Sequence, residues 1–211
     1  MGSGILESLF LLTEQRHSLR KHLRRIRRDL SPSDQKIAAR QLLRRCRHWP
    51  VFLQARSLAF YLPIQGEINP LPLMQLAHRL GKTCYLPRMR PFPPGKLVFM
   101  RWHPGQRHHK QQWHIREPRQ GRGLAADRLD IIFMPLTGLD RQGNRLGMGG
   151  GFYDRTLAGM CRPWRVGLAH DFQLVDQVPA CPWDMRLHAA VMPGRRLQIS
   201  RPRRAQRKNS G

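Results

Sequence analysis

Apolar residues recur along this chain at two different periods, and the changes between them outline its elements. Leu19, Leu23, Ile26 and Leu30 fall at helical spacing, which predicts an amphipathic helix over residues 15–30, with Arg16, Arg20, Arg24 and Arg27 on a neighbouring face. In Ser31-Pro32-Ser33-Asp34, Ser31 suits a helix cap, Pro32 suits the first turn and Asp34 closes a capping-box-like pair. A second helix is therefore expected over 32–47. Residues 56–62 (RSLAFYL) have strand composition and end at a proline, 71–80 reads as a helix closed by Gly81, and 83–86 reads as a short strand. The Pro-, His-, Arg- and Gly-rich stretch 88–122 holds one strand-like run, 97–102, and reads as an excursion beside the main sheet. The uninterrupted apolar run 129–134 is expected of a strand covered on both faces. A helix over 152–160 and strands at 164–169 and 189–192 complete the pattern.

Strands alternating with helices predict an α/β fold: a three-layer, mostly parallel sheet with helices on both faces, in a single domain. On this reading residues 15–194 form the domain and 1–14 are an N-terminal extension. Residues 195–211 are expected to be a disordered basic tail, because they have few apolar residues to bury.

Composition changes this picture only at the margins. The 211 residues suit one domain with a substantial core. Cysteines at 46, 84, 161 and 181 are scattered with no C-x-x-C pair, so neither a zinc site nor a disulfide framework is indicated. Reduced thiols in a cytoplasmic monomer are the expectation, and no apolar run is long enough to span a membrane. The net charge of +25 invites a nucleic-acid reading. Much of it sits in the first helices and the C-terminal tail; non-specific polyanion binding is expected of the tail, and no recognised nucleic-acid module accompanies the charge.

The chemistry concentrates in residues 129–157, LDIIFMPLTGLDRQGNRLGMGGGFYDRTL. Gly147, Gly149, Gly150 and Gly151 let backbone N–H groups approach a ligand, and a loop of this kind ahead of a helix favours an anion. The loop lacks the lysine and spacing of a P-loop, and Phe152 stands where the last glycine of a dinucleotide fingerprint would fall. Asp154 could add a carboxylate for a hard cation accompanying a nucleotide, and Asp184, in a loop before a strand, could add a second. Arg16 and Arg20, one turn apart, could clamp phosphate from another side. Glu67 follows a strand end, the edge where α/β sheets place ligands. His170-Asp171 and His108-His109 have no third partner at recognisable spacing and read as polar loop residues.

Together these pieces resemble the 5-formyltetrahydrofolate cyclo-ligase family over roughly residues 16–192. The most specific match is IIFMPLTGLDRQGNRLGMGGGFYDRTL, supported by RHSLRKHLRRIR, FYLPIQGEI and WDMRLHAAV. The resemblance implies a three-layer α/β enzyme that uses ATP and Mg²⁺ to convert 5-formyltetrahydrofolate into 5,10-methenyltetrahydrofolate, releasing ADP and phosphate. It implies ATP contacts from Arg16, Arg20, Arg145, Leu146, Gly147, Met148, Gly149, Gly150, Gly151, Phe152 and Tyr153, with Arg145 and Tyr153 catalytic. It implies folate contacts from Leu62, Glu67 and the segment Gly147, Met148, Gly149, Gly150, Gly151, and metal carboxylates at Asp154 and Asp184. A nucleic-acid-binding protein on the same scaffold is the alternative that the charge suggests. Met148 and Gly150 stand where many members carry cations, and Arg145 and the N-terminal arginines are the expected replacements.

Overall fold

The computed structural model describes residues 2–90, 92, 94–106, 108–110, 116–118 and 123–200, with side chains described outside 2–6, 108–110 and 116–118. The chain runs α1 (Gly2–Arg28), α2 (Pro32–Arg47), α3 (Pro50–Gln54), β1 (Ser57–Ala59), α4 (Leu71–Arg79) and β2 (Thr83–Met89). It continues through β3 (Leu97–Arg101), β4 (His108–Lys110), β5 (Arg116–Pro118) and β6 (Gly123–Leu124). Then follow β7 (Ile131–Met134), β8 (Gly138–Leu139), β9 (Arg145–Leu146), α5 (Phe152–Leu157), β10 (Trp164–Leu168), β11 (Ala189–Val191) and β12 (Arg196–Gln198).

Eight strands form one sheet in the order β12-β11-β10-β7-β1-β2-β3-β6. The central five, β11 to β2, pair in parallel, and the edge strands β12, β3 and β6 run antiparallel. Side chains alternate between two cores, as strand geometry requires. Leu58, Phe60, Ile131, Phe133, Val166, Leu168, Ala189 and Val191 face the layer of α2, α3 and α4, where Leu42, Phe52, Leu73 and Met74 are buried. Ala59, Ile132, Met134 and Ala190 face the opposite layer, with Leu157 of α5, Leu136 and Leu139.

Local chemistry fixes the element ends. The Ser31 Oγ accepts from the Asp34 N–H at 3.1 Å and the Asp34 carboxylate accepts from the Ser31 N–H at 3.3 Å, a closed capping box that starts α2. Asn69 Oδ1 accepts from the Leu71 N–H at 2.9 Å where α4 begins. The turn after α4 contains Gly81 at φ +73°, a conformation that glycine adopts without strain.

From β1 the chain crosses through α4 to β2 on one side, and it later returns to β7 on the other side of β1. The crevice beyond the carboxyl ends of β1 and β7 is thus a topological switch point, the usual ligand position in an open α/β sheet. The loop holding Glu67 leaves β1 there, and the segment leading to the glycines leaves β7.

The structure departs from the sequence expectations at several places. α1 begins at Gly2, so the 1–14 extension is helical and continuous with the first helix. Residues 5–12 contain no helix breaker, and Ile5, Leu9 and Leu12 continue the spacing of Leu19 and Leu23. β12 falls inside the expected tail, where Leu197 and Ile199 pack on the second core; residues 201–211 lie outside the described residues. The 88–122 excursion contributes β3 to the main sheet and a β4-β5 ribbon beside it, and β6 joins the sheet directly after it. A hairpin, β8-β9, separates β7 from the glycines, so the strand entering that loop is β9. α5 ends at Leu157 instead of residue 160, two residues before Gly159 at φ +73°. None of the described helices is long and apolar enough to cross a membrane.

Candidate active site

The hairpin that delivers the glycine loop is organised by one buried carboxylate. Asp140 accepts from the N–H groups of Gln142, Asn144 and Val178 and from Asn144 Nδ2, at 2.8 to 3.0 Å. Gln173 braces the same region, its Nε2 donating to the Leu136 and Thr137 carbonyls at 2.9 Å. Gly138 lies against Leu23 of α1; a Cβ there would come within 2.8 Å of Leu23 Cδ1, and that side chain would have to shift.

The loop itself is held by its carbonyls. Arg20 Nε donates to the Gly147 carbonyl at 2.9 Å, Arg24 Nη2 donates to the Met148 carbonyl at 2.9 Å, and Arg155 Nη2 donates to the Gly150 carbonyl. Among the described residues the N–H groups of Met148 to Gly151 donate to no protein acceptor. Carbonyls turned to guanidinium groups and unpaired N–H groups are the combination that suits an anion. Gly149 at φ +109° and Gly151 at φ +63° adopt backbone that larger residues resist, which makes this loop shape accessible. With only six residues, α5 adds little dipole, so the cationic character comes mainly from α1.

Arg16 and Arg20 do meet at the site, with different tasks. Arg16 donates to both Asp184 oxygens at 2.6 and 3.3 Å and to the Pro179 carbonyl at 2.7 Å, pinning the 179–184 loop to α1. Arg20 lies between Arg16 and Arg24, and burial together with their repulsion lowers its pKa. Beside the loop, His17, Arg20, Lys21, Arg24, Arg28, Met148 and Gly149 line a cleft of about 440 Å³.

Arg145 lies beneath the base of the loop, its Nη1 2.8 Å from where a Cβ on Gly147 would stand. Its side chain is only 4% exposed, and its Nη2 donates to both Asp154 oxygens at 2.8 and 3.0 Å. Its guanidinium sits 5.8 Å from the centre of the Tyr153 ring. The Met185 N–H also donates to Asp154 at 3.0 Å, so β9, α5 and the loop before β11 converge on this carboxylate. Arg24, which reaches the loop directly, was visible only as one more arginine in the α1 stripe. The positions missing cations are thus served from outside by Arg20, Arg24 and Arg155.

Glu67 is 5% exposed. Its carboxylate accepts from the Ile64 N–H at 3.2 Å and lies 4.0 Å from Arg27 Nη1, itself buried. Burial pushes the Glu67 carboxyl up to about 7, with Arg27 only partly opposing it. Tyr61 and Tyr153 feel the same carboxylate, and burial raises both phenols. Tyr61 donates to the Ile68 carbonyl at 2.9 Å, whereas the buried Tyr153 hydroxyl has no partner. The turn before Glu67 is tight, with Gln65 at φ +48° and Gly66 at φ +77°, and a Cβ on Gly66 would meet the Arg27 carbonyl at 2.8 Å. His170 Nε2 contacts the Gly66 carbonyl at 3.1 Å, which gives that histidine a supporting role in this turn. The side chains of His108 and His109 lie outside the described ones.

Other expected positions divide by burial. Leu146 is fully buried, Leu62 packs at the edge of the first core, and Met148 remains 36% exposed in the cleft. Phe152 stacks under the Arg155 guanidinium at 5.4 Å. Asp154 and Asp184 are each paired with an arginine, yet Asp154 Oδ2 and Asp184 Oδ1 each accept only one hydrogen bond among the described residues. An ionised carboxylate offers about four acceptor positions, so capacity remains for a hard cation.

Comparison with known proteins identifies the family. The sequence profile of the 5-formyltetrahydrofolate cyclo-ligase family matches residues 12–193. The 5-formyltetrahydrofolate cyclo-ligase of Escherichia coli (strain K12) is 38% identical over 181 residues, covering 82% of this chain and 97% of that protein. The Haemophilus influenzae protein of the same name is 36% identical, covering 83% and 96%. The fold matches the solution structure of Aquifex aeolicus 5,10-methenyltetrahydrofolate synthetase with a TM-score of 0.77 at 25% identity, over 92% of this chain and 98% of that one. The sequence profile, the relatives and the fold agree: the chain belongs to the 5-formyltetrahydrofolate cyclo-ligase family.

Proposed function

We propose that this protein converts 5-formyltetrahydrofolate into 5,10-methenyltetrahydrofolate at the expense of Mg·ATP, releasing ADP and phosphate. One observation carries the nucleotide part: the glycine loop directs its carbonyls to arginines and leaves its N–H groups free beside a cleft lined by cations. That arrangement stabilises phosphoryl oxygens, where charge concentrates during phosphoryl transfer.

In this reading the formyl oxygen attacks the γ-phosphorus and ADP departs, so the former carbonyl oxygen becomes a phosphate leaving group. N10 then bonds to the formyl carbon, phosphate leaves with the oxygen, and the N10 proton is lost. Arg16 and Arg20 hold the phosphates with the free N–H groups of Met148 to Gly151, and Leu146 supports the loop from beneath. Arg145 is a positioning residue that orients Asp154 and Tyr153. The unpartnered Tyr153 hydroxyl and the Glu67 carboxyl supply polar contacts for the folate, with Leu62 as an apolar wall. Asp154 and Asp184 would hold Mg²⁺, which when bound adds charge neutralisation at the phosphates. The four free cysteines suit a reducing cytoplasm, and a monomer contains every group named.

The test is direct. Purified protein with Mg·ATP and 5-formyltetrahydrofolate should develop the near-ultraviolet absorbance of the methenyl product, and omission of either ATP or Mg²⁺ should abolish it. Folded protein that gives no signal refutes the proposal.

A further inference from the structure

One arginine of α1 stays out of the cleft beside the glycine loop. Arg27 is 1% exposed and does not line that cleft, which Arg20, Arg24 and Arg28 share. It lies in the last turn of α1, where the helix dipole favours a cation. Its backbone carbonyl and Cγ support the turn before Glu67 directly, since a Cβ on Gly66 would meet them at 2.8 and 3.2 Å. Its guanidinium reaches three segments, and every contact is long. Nη1 lies 4.0 Å from Glu67 Oε1 and donates to the Leu136 carbonyl at 3.5 Å, Nη2 lies 4.0 Å from Met148 Sδ, and Nε has no acceptor. A closed guanidinium–carboxylate pair has hydrogen bonds of about 2.7–2.9 Å, such as Arg145 makes with Asp154. The Glu67 carboxylate is equally open. Its Oε2 accepts from the Ile64 N–H, and its Oε1 accepts no hydrogen bond among the described residues. A pair kept only for stability would close, because two buried charges without mutual hydrogen bonds cost more than their attraction returns.

We infer that Arg27 is a positioning residue for the folate half of the site, holding Glu67 as a carboxylate with one oxygen left free for the substrate. The inference rests on the folate reading above and gives α1 a second task. Arg20 and Arg24 serve the nucleotide loop, and Arg27 serves the carboxylate that meets the folate. 5-Formyltetrahydrofolate presents N–H donors on its pterin ring and at N10. An ionised carboxylate accepts from such donors, whereas a protonated carboxyl exchanges an acceptor for a donor and binds them less well. Burial alone would keep Glu67 protonated at neutral pH. The cations facing it are Arg27 and Arg24 of α1, and Arg27 is the larger opposition to burial. The phenols of Tyr61, after β1, and Tyr153, on α5, are neutral neighbours, and His170, after β10, contacts the Gly66 carbonyl. A closed pair would occupy Oε1. At 4.0 Å the charge acts and the oxygen stays available.

The experiment measures kcat/KM for 5-formyltetrahydrofolate, from ATP-dependent initial rates between about pH 6 and pH 9. It compares the wild type with Arg27→Met, Arg27→Lys, Glu67→Gln and the Arg27→Met/Glu67→Gln double variant. In the wild type kcat/KM should rise with pH to a plateau, with its midpoint at about 7. Arg27→Met should move that midpoint up by about one pH unit or more. Its kcat/KM should then fall about ten-fold at low pH and recover at high pH, while KM for ATP changes less than about two-fold. Arg27→Lys should return the midpoint towards the wild-type value. In the Glu67→Gln background Arg27→Met should have no further effect. If circular dichroism shows Arg27→Met unfolded, Arg27→Gln, which also lacks the charge, gives the same reading. An equal loss at every pH, not relieved by Arg27→Lys, would make Arg27 a packing residue and overturn the inference alone. So would a rise in KM for ATP as large as the loss for folate, or an Arg27→Met effect undiminished in the Glu67→Gln background. Folded wild-type protein that turns over no 5-formyltetrahydrofolate would overturn the folate reading as well.

Discussion

Replacing Glu67 by Gln should remove a specific pH dependence from the stability of this protein. Glu67 is 5% exposed, and burial raises its carboxyl from 4.5 to about 7 against the weaker pull of Arg27. The folded state therefore binds more protons than the unfolded state between those two values. Stability follows the difference in protons bound, unfolded minus folded, so it falls as pH rises through that window and levels off above about 7. A shift of this size corresponds to about 3 kcal/mol at 1.36 kcal/mol per unit. This is a large share of the ~5–15 kcal/mol that holds a typical domain folded.

Glutamine matches the shape and keeps an oxygen to accept from Ile64, but it does not titrate. Removing the carboxylate also takes the counter-charge from the buried Arg27. At pH 5 the wild-type carboxyl is protonated and gives Arg27 no counter-charge; the attraction that appears above about 7 is already part of the raised pKa, so the difference in slope still reports Glu67. Urea unfolding of both proteins from pH 5 to pH 8 measures it. The wild type should lose about 2–3 kcal/mol more than the variant across this range, slightly less than the full shift because pH 5 already lies above 4.5. Equal slopes would show that the carboxyl titrates in its ordinary range. A wild type gaining on the variant as pH rises would mean that Arg27 outweighs desolvation.

Three further outcomes follow from the site. Arg20→Ala removes the charged bond to the Gly147 carbonyl and one phosphate contact, so KM for ATP should rise about ten- to a hundred-fold while KM for folate changes far less; titrating each substrate decides. Asp154→Asn should abolish turnover while the variant stays folded by circular dichroism, because the amide oxygen still accepts from Arg145 or Met185; full turnover would refute the metal assignment. Gly151→Ala places a Cβ 2.6 Å from the Arg155 guanidinium at φ +63°, and should cost about 1–3 kcal/mol in urea unfolding together with a higher KM for ATP.

Much of the sheet was legible because its strands are short apolar runs between turn signals, and the α2 cap was legible because four residues suffice to define it. β12 was missed: Leu197 and Ile199 are two apolar residues among arginines, and only the antiparallel pairing with β11 makes burying them worthwhile. The β8-β9 hairpin was missed for a related reason. Its strands are two residues each, and the carboxylate that organises them, Asp140, draws one of its donors from Val178, 38 residues away.

The site shows where residue type and residue role separate. Arg145, beside the glycines in sequence, looked like the cation that would replace those missing from the loop, yet it faces inward to Asp154. Both residues of β9 are buried, and Arg145 spends its Nη2 on Asp154 while its Nη1 lies against Gly147. Arg20 and Arg24 lie more than a hundred positions from the loop, and α1, packed through Leu23 against Gly138, brings them to its carbonyls. A cation carried on the loop would point its own side chain at the ligand. Cations arriving from behind bind the carbonyls and turn the N–H groups outward, so the backbone becomes the donor. On the proposed function, this exchange lets four glycines in five positions serve a polyanion without any charge of their own, and it predicts that substitutions in α1 act on ATP as strongly as substitutions in the loop.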